Sequence, residues 1–274
     1  MPTSKPLKFP DAFSLKGEHV LITGGGTGIG LAVAQAMHEA GARVVLIGRR
    51  EAELAAAVKG MGEGASYHVH DITKYDQAPG LIAKIAKEHG PITCLVNNAG
   101  MHLKKPAIET TPEELQKVMS THIFGAHALS QAVLPGMIER KHGNIIFMAS
   151  MASLFGIPLV VAYAAAKSAM MGMIRTMATE LSQHGVRVNA IAPGWIDTAM
   201  SRKAFEGDPG RKNKIVSRTP MARLGEPSDV GWAGARQQIT AVEAAPQRQA
   251  GEKIEDDGET YQRVVEFLEN LKVV

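Results

Sequence analysis

The sequence predicts a single doubly wound α/β domain, a Rossmann-type parallel sheet flanked by helices. Short runs of Val, Ile and Leu alternate along the chain with segments of helical periodicity. The strand candidates are continuously apolar, which is typical of a sheet covered on both faces. Several predicted helices also end at glycine, as at Gly41, Gly90, Gly143 and Gly185.

Each element follows from its local pattern. Predicted strands are short apolar runs, and predicted helices carry apolar residues three and four apart. The strand candidates are 19–23, 43–48, 66–69, 92–97, 144–149 and 186–191. The helix candidates are 28–40, 52–59, 75–89, 112–140 and 163–184.

Length and composition fit one well-buried domain. The 274 residues are 45% hydrophobic and 21% charged, and a chain of this size buries roughly 75% of its unfolded surface. We assign 1–14 to an N-terminal extension and 15–233 to the Rossmann domain. Residues 234–274 form a divergent charged segment without a strand pattern, which we expect to end in a short helix.

The same figures disfavour several classes of protein. A lone cysteine, Cys94, forms no intrachain disulfide, and the N-terminus lacks the apolar run of a signal peptide, so we expect a cytoplasmic protein. Gly156 and Pro158 interrupt the uncharged stretch 143–166, which predicts a buried strand, a turn and a helix rather than a membrane span. The net charge of +3 is spread along the chain, which argues against nucleic acid.

A glycine-rich turn, TGGGTGIG over residues 23–30, joins the first predicted strand to the first predicted helix. Glycines there allow backbone amides and a helix N-terminus to approach a pyrophosphate. A plain tight turn is the alternative, but the position within a βαβ unit favours a dinucleotide site. The cofactor contacts expected in this turn are Thr23, Gly24, Gly26, Thr27, Gly28, Ile29 and Gly30.

Two arginines follow the second predicted strand, where an acidic residue would bind the ribose hydroxyls of NAD. Arg49 and Arg50 both precede the first carboxylate, Glu51. Guanidinium groups neutralise a 2'-phosphate and bind it through paired hydrogen bonds. The alternative interpretation is that both arginines are solvated residues at the start of a helix. The sequence therefore predicts NADP(H) as the preferred cofactor, with NAD(H) as the alternative.

Tyr163 and Lys167 lie one helical turn apart, so they are predicted to share a helix face with about 6 Å between their Cβ atoms. A nearby ammonium lowers the pKa of a phenol, and a shift from near 10 to about 7 requires roughly 4 kcal/mol. Ser150 follows the fifth predicted strand, at the edge where ligands bind in such sheets. These residues predict acid–base chemistry at a substrate oxygen, although an isolated Tyr-x-x-x-Lys pair is often mere surface packing.

Over roughly residues 15–233 the chain resembles the short-chain dehydrogenase/reductase family. The motifs that carry the resemblance occur in order: TGGGTGIG (23–30), Asp71, NNAG (97–100), Ser150, YAAAK (163–167), VNAIAPG (188–194) with Thr198, and RLGEPSDV (223–230). The resemblance implies an oxidoreductase that interconverts an alcohol and a carbonyl by hydride transfer with a nicotinamide dinucleotide. It also implies a homodimer or homotetramer.

The resemblance also assigns roles to individual residues. Tyr163 would exchange the proton of the substrate oxygen, Ser150 would stabilise that oxygen, and Lys167 would tune the tyrosine and hold the nicotinamide ribose. Asp71 would contact the adenine, although helix capping is its alternative role. A turn is the alternative role of the asparagine-glycine segment 97–100, and a chain bend is that of Pro193-Gly194. The other implied cofactor contacts are Ile72, Asn98, Ala99 and Gly100, and, beside the carboxamide, Pro193, Gly194, Ile196 and Thr198.

The chain departs from the family pattern at two places. His122 stands where the family often has an asparagine that supports a water relay to the lysine. A histidine can bond a water and a backbone carbonyl, so we expect His122 to take part in catalysis, with a structural core histidine as the alternative. From residue 234 onward nothing resembles the family's final strand, which weakens the expectation of the usual tetramer contact.

By resemblance, the small-molecule substrate is expected to be a sugar, a polyol or a sugar acid of the gluconate 5-dehydrogenase kind. A 3-oxoacyl-carrier-protein reductase is the alternative enzyme. Segments 101–106 and 194–205, with Leu154, Phe155 and Ile157, are expected to shape the substrate side. Within 101–106, His102, Lys104 and Lys105 would favour an anionic or polyhydroxylated substrate, while a solvated loop is the more ordinary role for the lysines.

The sequence disfavours two further classes of function. A nonenzymatic dinucleotide-binding sensor is disfavoured, because a pure binder would not need Ser150, Tyr163 and Lys167. A metal enzyme is also disfavoured, because His68 and His70 share a strand face but no third ligand follows at a useful spacing. The sequence therefore predicts no metal site.

Overall fold

A computed structural model describes residues 13–206 and 208–230, and six strands within them form one sheet. The strand order is β3-β2-β1-β4-β5-β6, and all pairs are parallel. This confirms the predicted doubly wound sheet, whose direction of winding reverses between β1 and β4. The strands are β1 (His19–Thr23), β2 (Arg43–Gly48), β3 (Ala65–Val69), β4 (Cys94–Asn97), β5 (Gly143–Met148) and β6 (Val186–Ile191).

Helices connect successive strands and cover both faces of the sheet. The five predicted helical regions all contain helices, and three short helices follow β6. They are α1 (Gly28–Glu39), α2 (Glu51–Met61), α3 (Ala78–His89), α4 (Pro112–Met119), α5 (Ala126–Glu139), α6 (Val161–Leu181), α7 (Ala199–Phe205), α8 (Pro209–Arg218) and α9 (Pro227–Val230).

The long helix predicted over 112–140 is not continuous. A π-helical segment, Ser120–Gly125, separates α4 from α5. At its end the helix passes close to the loop after β3, since a Cβ on Gly125 would lie 2.7 Å from the Ile72 carbonyl oxygen. Such segments insert an extra residue into a helix turn and are frequent at functional sites.

The core consists of two main clusters, and alternate residues of the central strands belong to different ones. Leu21 and Ile47 pack in one cluster, whereas Ile22 and Leu46 pack in the other. Because side chains alternate across a strand, these clusters lie on opposite faces of the sheet. The continuous apolar runs of the sequence are thus explained by burial on both faces.

The stretch 143–166 comprises β5, a 3-10 turn (Met151–Ser153) and the start of α6, as predicted. Among the described helices, none has the length and apolar character needed to cross a membrane. The predicted segment 234–274 with its terminal helix lies outside the described residues, as does most of the predicted N-terminal extension.

Candidate active site

The ends of β1 and β4 are tied together by one buried threonine. The Thr23 hydroxyl accepts hydrogen bonds from the backbone N–H groups of Asn98 (3.0 Å) and Ala99 (2.9 Å), and it donates to the Val96 carbonyl at 3.3 Å. The Asn98 side-chain amide donates back to the Thr23 carbonyl at 2.9 Å. The two loops that follow β1 and β4 therefore form one rigid unit at the switch point of the sheet.

The glycine-rich turn requires its glycines for close packing. A Cβ on Gly30 would overlap the Gly24 carbonyl and the Asn98 amide, and Gly24 and Gly28 have φ of +65° and +58°. The N-cap residue of α1, Thr27, makes no side-chain capping bond, and the first turn of α1 carries no acidic residue. The N-terminal amides of α1 are thus available to a pyrophosphate, so the residues present fit a dinucleotide.

Two cavities meet over this turn. One, of about 420 Å³, is lined by the turn, Ser150, Tyr163, Lys167 and the segment after β6. The other, of about 830 Å³, lies over the ends of β2 and β3. Both are within the size range of ligand sites. The residues common to both cavities are Gly24, Thr27, Arg50, Ala99 and Gly100.

All but one of the predicted site residues line these cavities. The exception is Thr23, which is 1% exposed and holds the loop after β4 through its hydrogen bonds without lining either cavity. The first cavity holds Ile29, Gly30, Asn98, His122, Pro193, Gly194, Ile196 and Thr198 besides the three residues of the Ser-Tyr-Lys group. The second holds Gly26, Arg49, Asp71 and Ile72.

The two arginines are exposed at the second cavity. Arg50 donates to the Thr27 hydroxyl at 3.0 Å and pairs with Glu53 at 3.0 Å, while Arg49 lies 3.9 Å from the Asp71 carboxylate. Burial opposes the ionisation of Asp71, but bonds from the Thr73 amide and hydroxyl, with Arg49, lower its pKa overall. Asp71 caps no helix; it accepts from Thr73 in the loop after β3, and its contact with an adenine stays a prediction.

The Ser-Tyr-Lys group forms at the start of α6. The Ser150 hydroxyl bonds to the Tyr163 phenol and accepts from the Ala152 amide at 3.1 Å. The Lys167 ammonium donates to the Met148 carbonyl and lies 5.6 Å from the centroid of the Tyr163 ring. The predicted common helix face is therefore confirmed, and β5 supplies the acceptor that holds the lysine.

Lys167 by itself does not lower the pKa of Tyr163. Burial raises the pKa of Tyr163, and the bond from Ser150 opposes the rise only in part. Burial also lowers the pKa of Lys167 to about 7. Both charged forms are disfavoured by desolvation, and the lysine bonds to a carbonyl rather than to the phenol. Tyr163 is accordingly a protonated acid at neutral pH.

His122 lies in the π-helical segment and is 2% exposed. Its Nε2 is 2.8 Å from the Met101 carbonyl oxygen and 3.1 Å from the Met101 amide, and its ring meets the Tyr163 ring at 5.4 Å, edge to face. Burial, with a smaller contribution from Lys167, lowers the pKa of His122 to about 3. The ring is therefore neutral, and it bonds a backbone carbonyl as predicted.

Gly100 leaves room for the His122 ring because it has no side chain. A Cβ on Gly100 would lie 2.5 Å from the His122 Cε1 atom. The Nδ1 atom of His122 is buried and has no hydrogen-bond partner within the described part of the chain. The predicted bond from a water to His122 would satisfy this atom, so the relay stays a prediction.

The first cavity includes only part of the predicted substrate side. Ile157 and His102 line the first cavity, but Leu154 and Phe155 do not, and their exposures of 62% and 61% place them in solvent. Neither Lys104 nor Lys105 lines the cavity. Their ammonium groups are held by protein partners: Lys104 by the Ala204 carbonyl at 3.0 Å and Asp208 at 3.6 Å, and Lys105 by Glu114 at 3.0 Å.

Sequence reasoning missed two residues that act through their carbonyls. Met148 holds Lys167, and Met101 holds His122. Every residue offers a carbonyl, so their side chains gave no signal; only their positions after β4 and at the end of β5 place them near the site.

Comparison with known proteins agrees with this site. A sequence model of the short chain dehydrogenase family matches residues 18–209. The chain belongs to the short-chain dehydrogenase family. It is therefore an oxidoreductase that acts on CH–OH groups with a nicotinamide dinucleotide, as the sequence predicts.

Individual members of the family extend the comparison. The chain is 35% identical to gluconate 5-dehydrogenase of Gluconobacter oxydans (strain 621H) over 80% of its length and 87% of that protein. It is 33% identical to a 3-oxoacyl-acyl-carrier-protein reductase of Thermotoga maritima over 79% of its length and 88% of that protein. A crystal structure of a gluconate 5-dehydrogenase from Burkholderia cenocepacia J2315, in complex with NADP and tartrate, superposes with a TM-score of 0.76 and 33% identity, covering 81% and 88% of the two chains.

Proposed function

We propose that this chain interconverts a hydroxyl and a carbonyl group of a sugar acid and prefers NADP(H). The observation that carries the proposal is that Ser150, Tyr163 and Lys167 share one cavity with the dinucleotide turn. When bound there, the nicotinamide dinucleotide supplies or accepts the hydride. The chain's own residues then have to bind the substrate oxygen and move its proton.

Tyr163 is the proton donor in the direction of carbonyl reduction. Its phenol is protonated at neutral pH, since burial raises a pKa that is already near 10 in water, and it bonds to Ser150. Ser150 is placed to donate a hydrogen bond to the substrate oxygen that Tyr163 protonates, and so to stabilise the negative charge that develops on that oxygen. Lys167, fixed by the Met148 carbonyl, lies beside the ring and stabilises the phenolate that forms when the proton leaves.

The electrostatics of the substrate side support an acidic substrate. His102 lines the cavity with its ring 5.7 Å from that of Tyr163. Burial, and then the positive charges of Arg211 and Lys104, lower the pKa of His102. The neutral imidazole can bond a hydroxyl or a carboxylate, and the nearby Arg211, unlike Lys104, is paired with no carboxylate among the described residues. Relatives named for gluconate add to this support.

The preference for NADP(H) is supported by the arginines at the second cavity. Both guanidinium groups are largely exposed beside the glycine-rich turn. Arg50 is oriented toward that turn by its bond to the Thr27 hydroxyl. Solved gluconate 5-dehydrogenases also include one with NADP bound.

The competing reductase of acyl-carrier-protein substrates is less well supported. The expectation for that enzyme was that basic residues near the cleft receive an acidic carrier. Lys104 and Lys105 are already paired with Asp208 and Glu114, which reduces the positive charge available to a carrier.

A panel of steady-state assays tests the proposal. Purified protein is assayed with NADP and NAD on gluconate-type acids and polyols, and with NADPH and NADH on the corresponding keto acids and on acetoacetyl thioesters. We expect the highest kcat/KM with a sugar acid and NADP(H). A preference for thioesters would favour the carrier-protein reductase, and cofactor-dependent thermal stabilisation without turnover on any of them would favour a nonenzymatic sensor.

We also propose that the protein is a cytoplasmic homodimer or homotetramer with its active domain in residues 15–233. The buried free thiol of Cys94 suits a reducing compartment. Mass measurement in solution tests the assembly: a monomer at micromolar concentration would contradict it.

A further inference from the structure

Two histidines and a glutamate, residue types that bind metals in proteins, converge outside the active site, where the edge strand β3 meets the last turn of α3. His68 lies on β3, and Glu88 and His89 end α3. The His68 Nε2 atom is 3.3 Å from Glu88 Oε2, and His89 Nε2 is 3.7 Å from the same oxygen. One ligand atom from each residue falls within 4.8 Å of the other two.

We propose that His68, Glu88 and His89 bind a divalent transition-metal ion of the zinc type, with water completing the coordination. The ion would join β3 to the end of α3 and so stabilise the sheet edge. None of its three ligands lines either cavity of the active site. The site was not predicted, because His68 pairs with a helix remote in sequence rather than with His70.

The spacing of the ligand atoms fits a tetrahedral ion. Zinc binds nitrogen and oxygen at about 2.0–2.2 Å, so two ligands of a tetrahedron lie roughly 3.3–3.6 Å apart. The two measured separations to Glu88 Oε2, 3.3 and 3.7 Å, are close to that value. Small side-chain rotations at the half-exposed helix end would bring the third separation into the same range.

A second observation is independent of these distances. The Nε2 atom of His68 is buried and forms no hydrogen bond in the described residues, although Glu88 Oε2 lies 3.3 Å away. A buried, unpartnered ring nitrogen is unfavourable unless an ion or a water satisfies it. Burial also lowers the pKa of His68, so at neutral pH the ring is in the neutral form that binds metals.

Few positive charges surround these three side chains in the described part of the chain. Lys84 lies 3.9 Å from Glu88, but at Oε1, which leaves Oε2 facing the histidines. The rings of His68 and His19 both pack edge to face against His89, at 5.9 and 6.3 Å. His19 itself is held by the Gly90 carbonyl through Nδ1 at 2.9 Å. Lys84 is thus the one adjacent positive charge among the described residues that contact Glu88.

Calorimetric titration with zinc chloride tests the proposal. The full chain, without a polyhistidine tag, is treated with chelator and compared with His68→Gln, Glu88→Gln and His89→Gln. We expect one saturable equivalent in the unaltered protein, weakened about tenfold or more in each variant. Zinc should also raise the unfolding temperature of the unaltered protein, and EDTA should reverse the rise.

A matched control is available elsewhere on the surface. His142 and Glu18 form a pair at 3.2 Å that no third metal-binding side chain joins within the described part of the chain. His142→Gln should therefore bind zinc like the unaltered protein. Glu88 is 42% exposed, which makes Glu88→Gln safe for folding, as circular dichroism would verify. Absence of saturable binding overturns the proposal, as does binding that survives all three site variants or is lost equally in His142→Gln.

Discussion

His122 should make the protein sensitive to acid. Its folded-state pKa of about 3 lies below the ordinary value of 6.5, so the unfolded chain takes up a proton on this ring first. The free energy of unfolding is therefore highest above pH 6.5, where the ring is neutral in both states, and it decreases as the pH falls toward 3. Linkage with these two values gives a loss of about 2 kcal/mol between pH 7 and pH 5.

The substitution His122→Asn removes this titration and keeps groups that can bond the Met101 backbone. The smaller side chain leaves a cavity and lowers stability by an amount that does not depend on pH. The informative quantity is therefore the change with pH. Other buried histidines such as His19 titrate in both proteins, so their effect cancels in the difference.

Urea unfolding at pH 7 and pH 5 measures this difference directly. We expect the unaltered protein to lose about 2 kcal/mol more between the two pH values than His122→Asn loses. Equal losses in the two proteins would refute the assignment of His122 as a buried neutral ring.

Two other substitutions test the dinucleotide turn. Gly30→Ala should lower both thermal stability and NADPH affinity, because its Cβ would overlap the Gly24 carbonyl. Gly60→Ala is the control: a Cβ there has no atom within 4 Å, so this substitution should be neutral or stabilising. An unfolding temperature and NADPH affinity for Gly30→Ala like those of the unaltered protein would contradict the close packing. Arg50→Ala should raise the KM for NADP(H) about tenfold, the effect of losing one charged hydrogen bond, and should leave the KM for NAD(H) nearly unchanged; equal effects on both cofactors would argue against a 2'-phosphate contact.

The sheet was predictable because burial on both faces leaves a simple signal. The predicted bounds of β1, β2 and β6 agree with the structure. β4 was predicted to begin at Ile92 but begins at Cys94, since Ile92 is buried in the core without belonging to the strand ladder. An apolar run shows which residues are buried, but the first residue of a strand is set by its hydrogen bonds to the neighbouring strand.

The π-helical segment was not predictable from periodicity. Its sequence continues the apolar spacing of α4 and α5, and the segment ends where Gly125 passes close to the Ile72 carbonyl, a residue remote in sequence. This segment nevertheless determines where His122 lies. Local patterns therefore located the helix but not the position of its functional side chain.

The site was predictable in its membership and not in its electrostatics. Motif residues such as Ser150 and Tyr163 meet as predicted, since sequence spacing on a helix and a strand end sets their positions. The raised pKa of Tyr163 depends on burial by remote segments, and the ion pairs of Lys104 and Lys105 depend on partners brought in by tertiary folding. These features depend on contacts between segments remote in sequence, which sequence patterns do not show.

The most direct test of the account is the turnover of Tyr163→Phe. The substitution removes only the phenolic oxygen, so NADPH binding, measured by fluorescence titration, should persist. We predict that kcat for carbonyl reduction falls about a hundredfold or more, as expected for the loss of a positioned acid. Turnover close to that of the unaltered protein, with NADPH still bound, would contradict the role of Tyr163 as the proton donor.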